Sequence, residues 1–174
     1  MLLRHLAQRC LLCMEPSGCD IMNKTLSIPE WHRMAMEGVA PPMRILLNGY
    51  SMEPLVRRNI DYVTIVPLKD NISVGDIVLF SDKNTERFVV HRVWEVKSEK
   101  VLTWGDNCHG PDGWFPLDAI WGKVVLIEHG KRVIHPNPKK GLWWARFWHK
   151  VRPGYYSAWR IKETITRRIK KLKV

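Results

Sequence analysis

Residues 87 to 96 have the sequence RFVVHRVWEV, and this stretch indicates the fold class most clearly. Its four valines and two aromatic residues favour a β-strand, because branched and aromatic side chains fit a pleated, half-buried surface. A turn signal, Asp82-Lys83-Asn84, precedes the run. We therefore predict a strand that contains the buried-looking His91.

Further runs of the same character lie on both sides of this strand. They are MRILL (43–47), YVTIVPL (62–68), DIVLF (76–80), VLTW (101–104) and AIWGKVVLIEH (119–129). Turn signals at 74–76 and 105–113 separate them, and residues 132–136 are expected to pair back onto the last run. So many short strands predict one all-β domain, either a barrel or a sandwich.

A short helix is predicted ahead of the strands. Ser27 has the character of an N-cap, and Pro29 and Glu30 follow at the positions that favour a helix start. Gly38 is a typical stop signal. We therefore place a helix over residues 28–37.

The C-terminal region is predicted to be helical and rich in tryptophan. Its first apolar face consists of Trp143, Trp144, Phe147, Trp148 and Val151. Pro153-Gly154 is predicted to end this helix. A second helix is expected to follow, with an apolar stripe of Ala158, Ile161, Ile165, Ile169 and Leu172.

The net charge of +11 is confined to this C-terminal region. Residues 139–174 contain 12 lysines and arginines against one acid, Glu163, so the rest of the chain is neutral overall. Nucleic-acid binding by the β region is therefore not favoured. We divide the chain into an extension (1–21), a β domain (22–138) and a basic helical tail (139–174), with Met22 as an alternative start.

The cysteines and the apolar runs bear on localisation. Three of the four cysteines lie in the first twenty residues, which fits neither a four-ligand zinc spacing nor a disulfide framework, so we interpret them as free thiols. No run reaches the roughly 18 apolar residues of a membrane span. The N-terminal residues lack the apolar centre of a signal peptide. We expect a cytoplasmic or peripherally membrane-associated protein.

The segment GYSMEPLV, residues 49–56, raises the question of chemistry. Ser51 is either a turn residue or a nucleophile, and a serine hydroxyl needs a base to become nucleophilic. His91 is the candidate base, although a core histidine bonded to a backbone carbonyl is the plainer interpretation. A catalytic pair would place Ser51 about 3 Å from His91, or further apart without substrate.

The glycine-rich segment 103–114 contains two carboxylates, Asp106 and Asp112. Either could orient the imidazole, and both also suit ordinary turns. Two other interpretations of this segment are a metal site made of Asp106, Cys108, His109 and Asp112, and a Cys108 nucleophile paired with His109. Both are less favoured, and no cofactor is expected.

Four boxes in the chain resemble those of a known superfamily. They are GYSMEP (49–54), VGDIV (74–78), VHRV (90–93) and GDN (105–107), the last followed by Asp112. In order and spacing they are similar to the LexA/signal peptidase superfamily of serine peptidases, over about residues 40 to 130. His91-Arg92 resembles the histidine-type branch, which includes the endoplasmic-reticulum and archaeal signal peptidases. The resemblance implies a mostly-β, partly barrel-like peptidase domain.

The resemblance also implies roles for single residues. Ser51 would be the nucleophile, His91 the general base and then acid, and Asp112 the group that orients His91. Asp106 would be a structural turn residue, unless it exchanges roles with Asp112.

Two features depart from the signal peptidases. Gly49 stands where they carry a serine or threonine, so backbone N–H groups beside Ser51 and Met52 would have to form the oxyanion hole. No apolar run in this sequence is expected to serve as the membrane anchor typical of signal peptidases. Peptide hydrolysis is still expected, with leader or signal processing of a precursor as one form of it.

Two other functions are compatible with the same residues. One is a non-catalytic binding protein on the same fold, and another is a self-cleaving LexA-type regulator, which would need a DNA-binding domain. The tail either docks on an anionic membrane or packs its tryptophans on the β domain. Nucleic acid and an acidic protein are less favoured partners.

Overall fold

The structure is a computed structural model, and it describes residues 26–69, 71–82 and 87–172. Side chains are described up to Tyr155, except that of Asp82. The predicted extension over 1–21 lies outside the described residues, as do the side chains of the predicted apolar stripe after residue 156.

The predicted N-terminal helix is present as α1 (Ile28–Met36). The Ser27 hydroxyl accepts a hydrogen bond from the Glu30 N–H at 3.4 Å, and the Ser27 N–H donates to the Glu30 carboxylate at 3.0 Å. This reciprocal cap satisfies two backbone donors at the helix start. Trp31 is fully buried, and its indole N–H donates to the Pro41 carbonyl at 2.7 Å, which holds α1 against the sheet.

Eight strands form one antiparallel sheet, which confirms the mostly-β fold class. The strands are β1 (Met43–Leu46), β2 (Tyr62–Pro67), β3 (Ile77–Asp82), β4 (Arg87–Lys97), β5 (Lys100–Trp104), β6 (Gly113–Pro116), β7 (Ile120–His129) and β8 (Arg132–Ile134). Their order is β1-β2-β7-β3-β4-β5-β6, and β8 pairs with β7 as predicted. The described sheet has β1 and β6 at its ends and is not closed into a barrel.

Strand β3 is buried on both faces. Ile77 and Leu79 pack in one apolar cluster with Trp31, whereas Val78 and Phe80 pack in a second cluster. Successive strand residues point to opposite sides of a sheet, so a strand between two clusters must be continuously apolar. This explains why its sequence lacks the alternation of a strand with one solvated face.

Strand β6 lies in a segment where no strand is predicted. It pairs with β5 in a register that places Gly113 opposite Thr103. Glycine and proline bound this four-residue strand, and both are turn signals in sequence. Pairing with the edge of β5 outweighs that local preference.

The predicted break at Pro153 is wrong. A single helix, α2, runs from Pro138 to Leu172 with Pro153 inside it. Proline has a φ that suits a helix, and its cost of about 3 kcal/mol comes from a lost hydrogen bond and a clash with the preceding turn. Packing on both sides of Pro153 offsets this cost. Arg152 is buried, and the rings of Trp148 and Tyr155 contact each other across the proline at 5.5 Å.

Helix α2 begins against the turn before β3. Gly75 has a φ of +98°, and a methyl group there would lie 2.1 Å from the Pro138 carbonyl oxygen. Only glycine combines this backbone conformation with this close approach. The start of α2 is therefore placed beside the turn that precedes β3.

Candidate active site

Ser51 lies in the turn that follows β1. The side chains of Met52 and Val56 are each 1% exposed, and the Val56 N–H donates to the Met52 carbonyl at 3.0 Å. The turn is thus anchored in the core on the C-terminal side of the serine. The Ser51 carbonyl accepts a hydrogen bond from the Asn107 N–H at 2.7 Å, which ties this turn to the segment after β5.

His91 and Asp112 are in direct contact. Nδ1 of His91 donates to the Asp112 carboxylate at 2.7 Å. The same carboxylate oxygen accepts from the Thr103 hydroxyl at 2.8 Å, and the Asp112 N–H donates to the Thr103 carbonyl at 2.9 Å. The carboxylate is therefore held against β5, and it orients an imidazole whose side chain is only 7% exposed.

Asp106 has a different partner. Its two carboxylate oxygens accept from Nε and Nη2 of Arg92 at 2.9 and 2.7 Å, and both side chains are almost fully buried. A third donor of Arg92, Nη1, reaches the Gly75 carbonyl at 2.9 Å. Of the two aspartates between which the sequence left the choice open, the structure places Asp112 on the imidazole and Asp106 on the neighbouring arginine.

Ser51 and His91 line one cleft of about 780 Å³. Its walls come from the end of β1 and the turn after it, including Gly49 and Met52, and from the first half of β4. Apolar side chains such as Ile45 dominate the wall. The cleft therefore combines two polar side chains with a mainly apolar surface, as small binding sites commonly do.

The surroundings of the His91 ring differ from those expected. Among the described residues, the Ser51 hydroxyl makes no hydrogen bond with the imidazole, and the Cys108 side chain interacts with the ring instead. A methyl group at Gly105 would lie 2.8 Å from His91 Nε2, from Cys108 Sγ and from the Ser51 carbonyl oxygen. The side chains of His91 and Cys108 and the carbonyl of Ser51 thus surround Gly105 closely, and a side chain at this position would clash with all three.

The surroundings of His91 raise the pKa of its imidazole. Burial by itself lowers the pKa of the imidazole, but the hydrogen bond with Asp112 and then the contact with Cys108 outweigh it. Together they raise the pKa of His91 from 6.5 to about 9. The resting imidazole is therefore protonated at neutral pH, whereas a general base has to be neutral.

We expect NMR to find His91 titrating near pH 9. Asp112→Asn should lower that midpoint, because it removes the carboxylate that stabilises the imidazolium; Asp118→Asn, at an exposed carboxylate, should leave it unchanged. The stabilisation from protonated His91 is complete below pH 6.5 and lost as the pH rises through about 9. A wild-type midpoint at or below 6.5 would contradict this expectation.

The candidate oxyanion hole consists of backbone donors. Within the described part of the chain, neither the Ser51 N–H nor the Met52 N–H donates to a backbone acceptor. The Met52 side chain is in the core, so only its backbone is available to a substrate. Gly49 lines the cleft beside them.

The less favoured sites are not assembled. Within the described ranges, no three His, Cys, Asp or Glu side chains are grouped to hold a metal ion. The Asp106 carboxylate forms an ion pair with Arg92, and His109 is exposed. Cys108 interacts with the His91 ring.

Sequence reasoning missed Thr103 and the pairing of Cys108 with His91. Both depend on the register of β4 and β5, in which Thr103 lies opposite Val93. No local pattern encodes that register for a single threonine. The signal available for Cys108 was its position directly after the GDN box.

Comparison with models of known protein families returned no match, and comparison with curated proteins returned none either.

Proposed function

We propose that this protein is a serine endopeptidase that cleaves a peptide or precursor protein, with Ser51 as nucleophile and His91 as base. One observation carries the proposal. Asp112 holds Nδ1 of His91 at 2.7 Å, and Ser51 and His91 line the same cleft. A carboxylate, an imidazole and a hydroxyl in this arrangement have the parts of a serine hydrolase triad.

The proposed reaction begins when neutral His91 removes the proton from the Ser51 hydroxyl. Oγ attacks the scissile carbonyl, and the Ser51 and Met52 N–H groups stabilise the resulting oxyanion. His91 then gives its proton to the leaving amine, and water hydrolyses the acyl-enzyme by the reverse sequence. Asp112 keeps the proton on Nδ1 and stabilises the imidazolium. Ser51 Oγ has to approach Nε2. In the resting site Cys108 Sγ lies near this atom, since a methyl group at Gly105 would be 2.8 Å from both.

The edge of the sheet indicates how a peptide would bind. Strand β1 ends the sheet, and Ile45 and Leu46 from this strand line the cleft beside Ser51. An extended peptide can pair with an unpaired strand edge through its backbone while apolar side chains enter the cleft. This supports an extended peptide segment as substrate, such as a leader or signal sequence.

A second candidate is a cysteine-type hydrolase with Cys108 as nucleophile. The observation that favours it is the contact of Cys108, rather than Ser51, with the His91 imidazole. A cysteine thiol beside an imidazole that can accept its proton is a competent nucleophile. Cys108 is partly buried and also belongs to the loop that contacts Arg152, which limits its approach to a substrate.

The test is acid quenching of the full chain during turnover of a peptide library with small residues before the cut. Mass spectrometry of cleaved peptides reports activity, and tandem spectrometry locates the acyl group. An ester on Ser51 is expected, whereas a thioester on Cys108 would replace the serine mechanism with the second candidate. A folded chain that cleaves no peptide would favour a binding protein. Cleavage confined to the chain itself would favour a LexA-type regulator.

A further inference from the structure

Helix α2 has one face directed at the β domain. Ala145 on this face is fully buried, and the His149 ring contacts Trp104 with 4.2 Å between ring centres. One turn later, Nη1 of the buried Arg152 donates to the Cys108 carbonyl at 2.8 Å. The helix is thus attached to the segment that also carries Asp112, the partner of His91.

The opposite face of α2 exposes an apolar stripe. Trp143, Phe147 and Val151 are spaced four residues apart and are 68%, 43% and 38% exposed. Residues at this spacing lie above one another on a helix. The rings of Trp143 and Phe147 stack at 5.9 Å, so they present one continuous surface. We call these three residues the outer stripe.

Cations border the outer stripe. Arg146 and Lys150 are exposed on the same side of the helix, and Lys139 and Lys140 are exposed in its first turn. Residues 138–155 contain no aspartate or glutamate. Within the described residues, no helix combines the length and apolar character needed to cross a bilayer. Exposed aromatic and branched side chains beside exposed cations suit a surface with negative groups outside and apolar groups beneath them.

We infer that the outer stripe of α2 docks on the surface of an anionic phospholipid bilayer, with the helix parallel to the membrane. Tryptophan and phenylalanine are favoured at the boundary of headgroups and acyl chains, and arginine and lysine are attracted to acidic headgroups. A nucleic acid or an acidic protein could pair with the cations. It would bury the apolar side chains of Phe147 and Val151 less well than a layer of acyl chains would.

Docking would bring the candidate active site to the membrane. Arg152 joins α2 to the Cys108 carbonyl, and Asp112 of the same loop orients His91. The docking itself does not rest on the proposed function, because it is measured without a substrate.

The test is co-sedimentation of the full chain with phosphatidylcholine vesicles that contain or lack about 30% phosphatidylglycerol, so that only one set has a negative surface potential. Binding is expected to the anionic vesicles only. The triple variant Trp143→Ala, Phe147→Ala, Val151→Ala should lose at least about 10-fold in affinity. Arg146→Gln with Lys150→Gln should lose about 30-fold. Trp114→Ala, an exposed tryptophan on β6, is the matched control and should bind as wild type.

Three results would overturn the inference. They are equal binding to neutral vesicles, wild-type binding by the stripe variant, and release from vesicles by a short DNA duplex at low concentration. Far-UV circular dichroism and thermal melting establish that each variant is folded. Because all six substituted positions are exposed, unfolding is not expected. The charge variant tests the same surface independently of the stripe variant.

Discussion

Alanine in place of Ser51 is expected to reduce kcat/KM for a cleaved peptide by at least about 1,000-fold, since loss of one member of a serine triad typically costs that much or more. The free energy of unfolding should change little, because the Ser51 side chain lines a cleft. The turn is held by the hydrogen bond from the Asn107 N–H to the Ser51 carbonyl and by the buried Met52 side chain, and the substitution keeps both. The measurement is steady-state kinetics above pH 9, where His91 is neutral.

Cys108→Ala is the matched variant for this prediction. It removes the side chain that contacts His91, so the imidazole loses one of the influences that raise its pKa. We expect activity to be retained, and the rise of kcat/KM with pH to occur at a lower pH than in wild type. Activity that survives Ser51→Ala and disappears in Cys108→Ala would reverse the assignment. If both variants remain active, neither Ser51 nor Cys108 is the nucleophile.

Asp106→Asn is expected to destabilise the fold by about 3–5 kcal/mol, because it leaves the buried guanidinium of Arg92 without its counter-charge. The two side chains are 1% and 0% exposed, and two hydrogen bonds of 2.9 and 2.7 Å join them. Arg92 also donates to the Gly75 carbonyl beside the start of α2. Loss of the pair should therefore also loosen the helix start.

The control for this prediction is the exposed pair of Arg44 and Glu128, which has the same 2.7 Å separation. Glu128→Gln should cost about 1 kcal/mol or less, because solvent screens an exposed ion pair. Urea unfolding of both variants, followed by tryptophan fluorescence, measures the difference in the free energy of unfolding. Equal decreases in the free energy of unfolding would contradict the expectation that the buried ion pair contributes more to stability than the exposed one.

Local patterns were sufficient for most of the fold. Valine, isoleucine and aromatic runs predicted seven of the eight strands, and the Ser27 cap predicted α1, because these preferences act over a few residues. The same local logic failed at β6 and at Pro153. In both places, contacts with distant parts of the chain outweigh a preference of a few kcal/mol.

The candidate site was predictable in its parts but not in its pairing. The boxes around Ser51 and His91 are continuous in sequence, and the structure brings both to one cleft. The choice between Asp106 and Asp112 could not be made from the residues alone, because both follow β5 within a few positions. Strand register makes that choice, since it places Arg92 on Asp106 and His91 on Asp112.

The sequence by itself determined that this chain forms a mostly-β domain followed by a basic helical region rich in aromatic residues. Side-chain shape, periodicity and charge are properties of neighbouring residues. Only the tertiary structure decided which carboxylate meets His91, that Cys108 contacts its ring, and which face of α2 is left exposed. Those outcomes depend on strand register and on helix rotation about its axis. Both are set by the packing of the whole core and not by any segment of the chain.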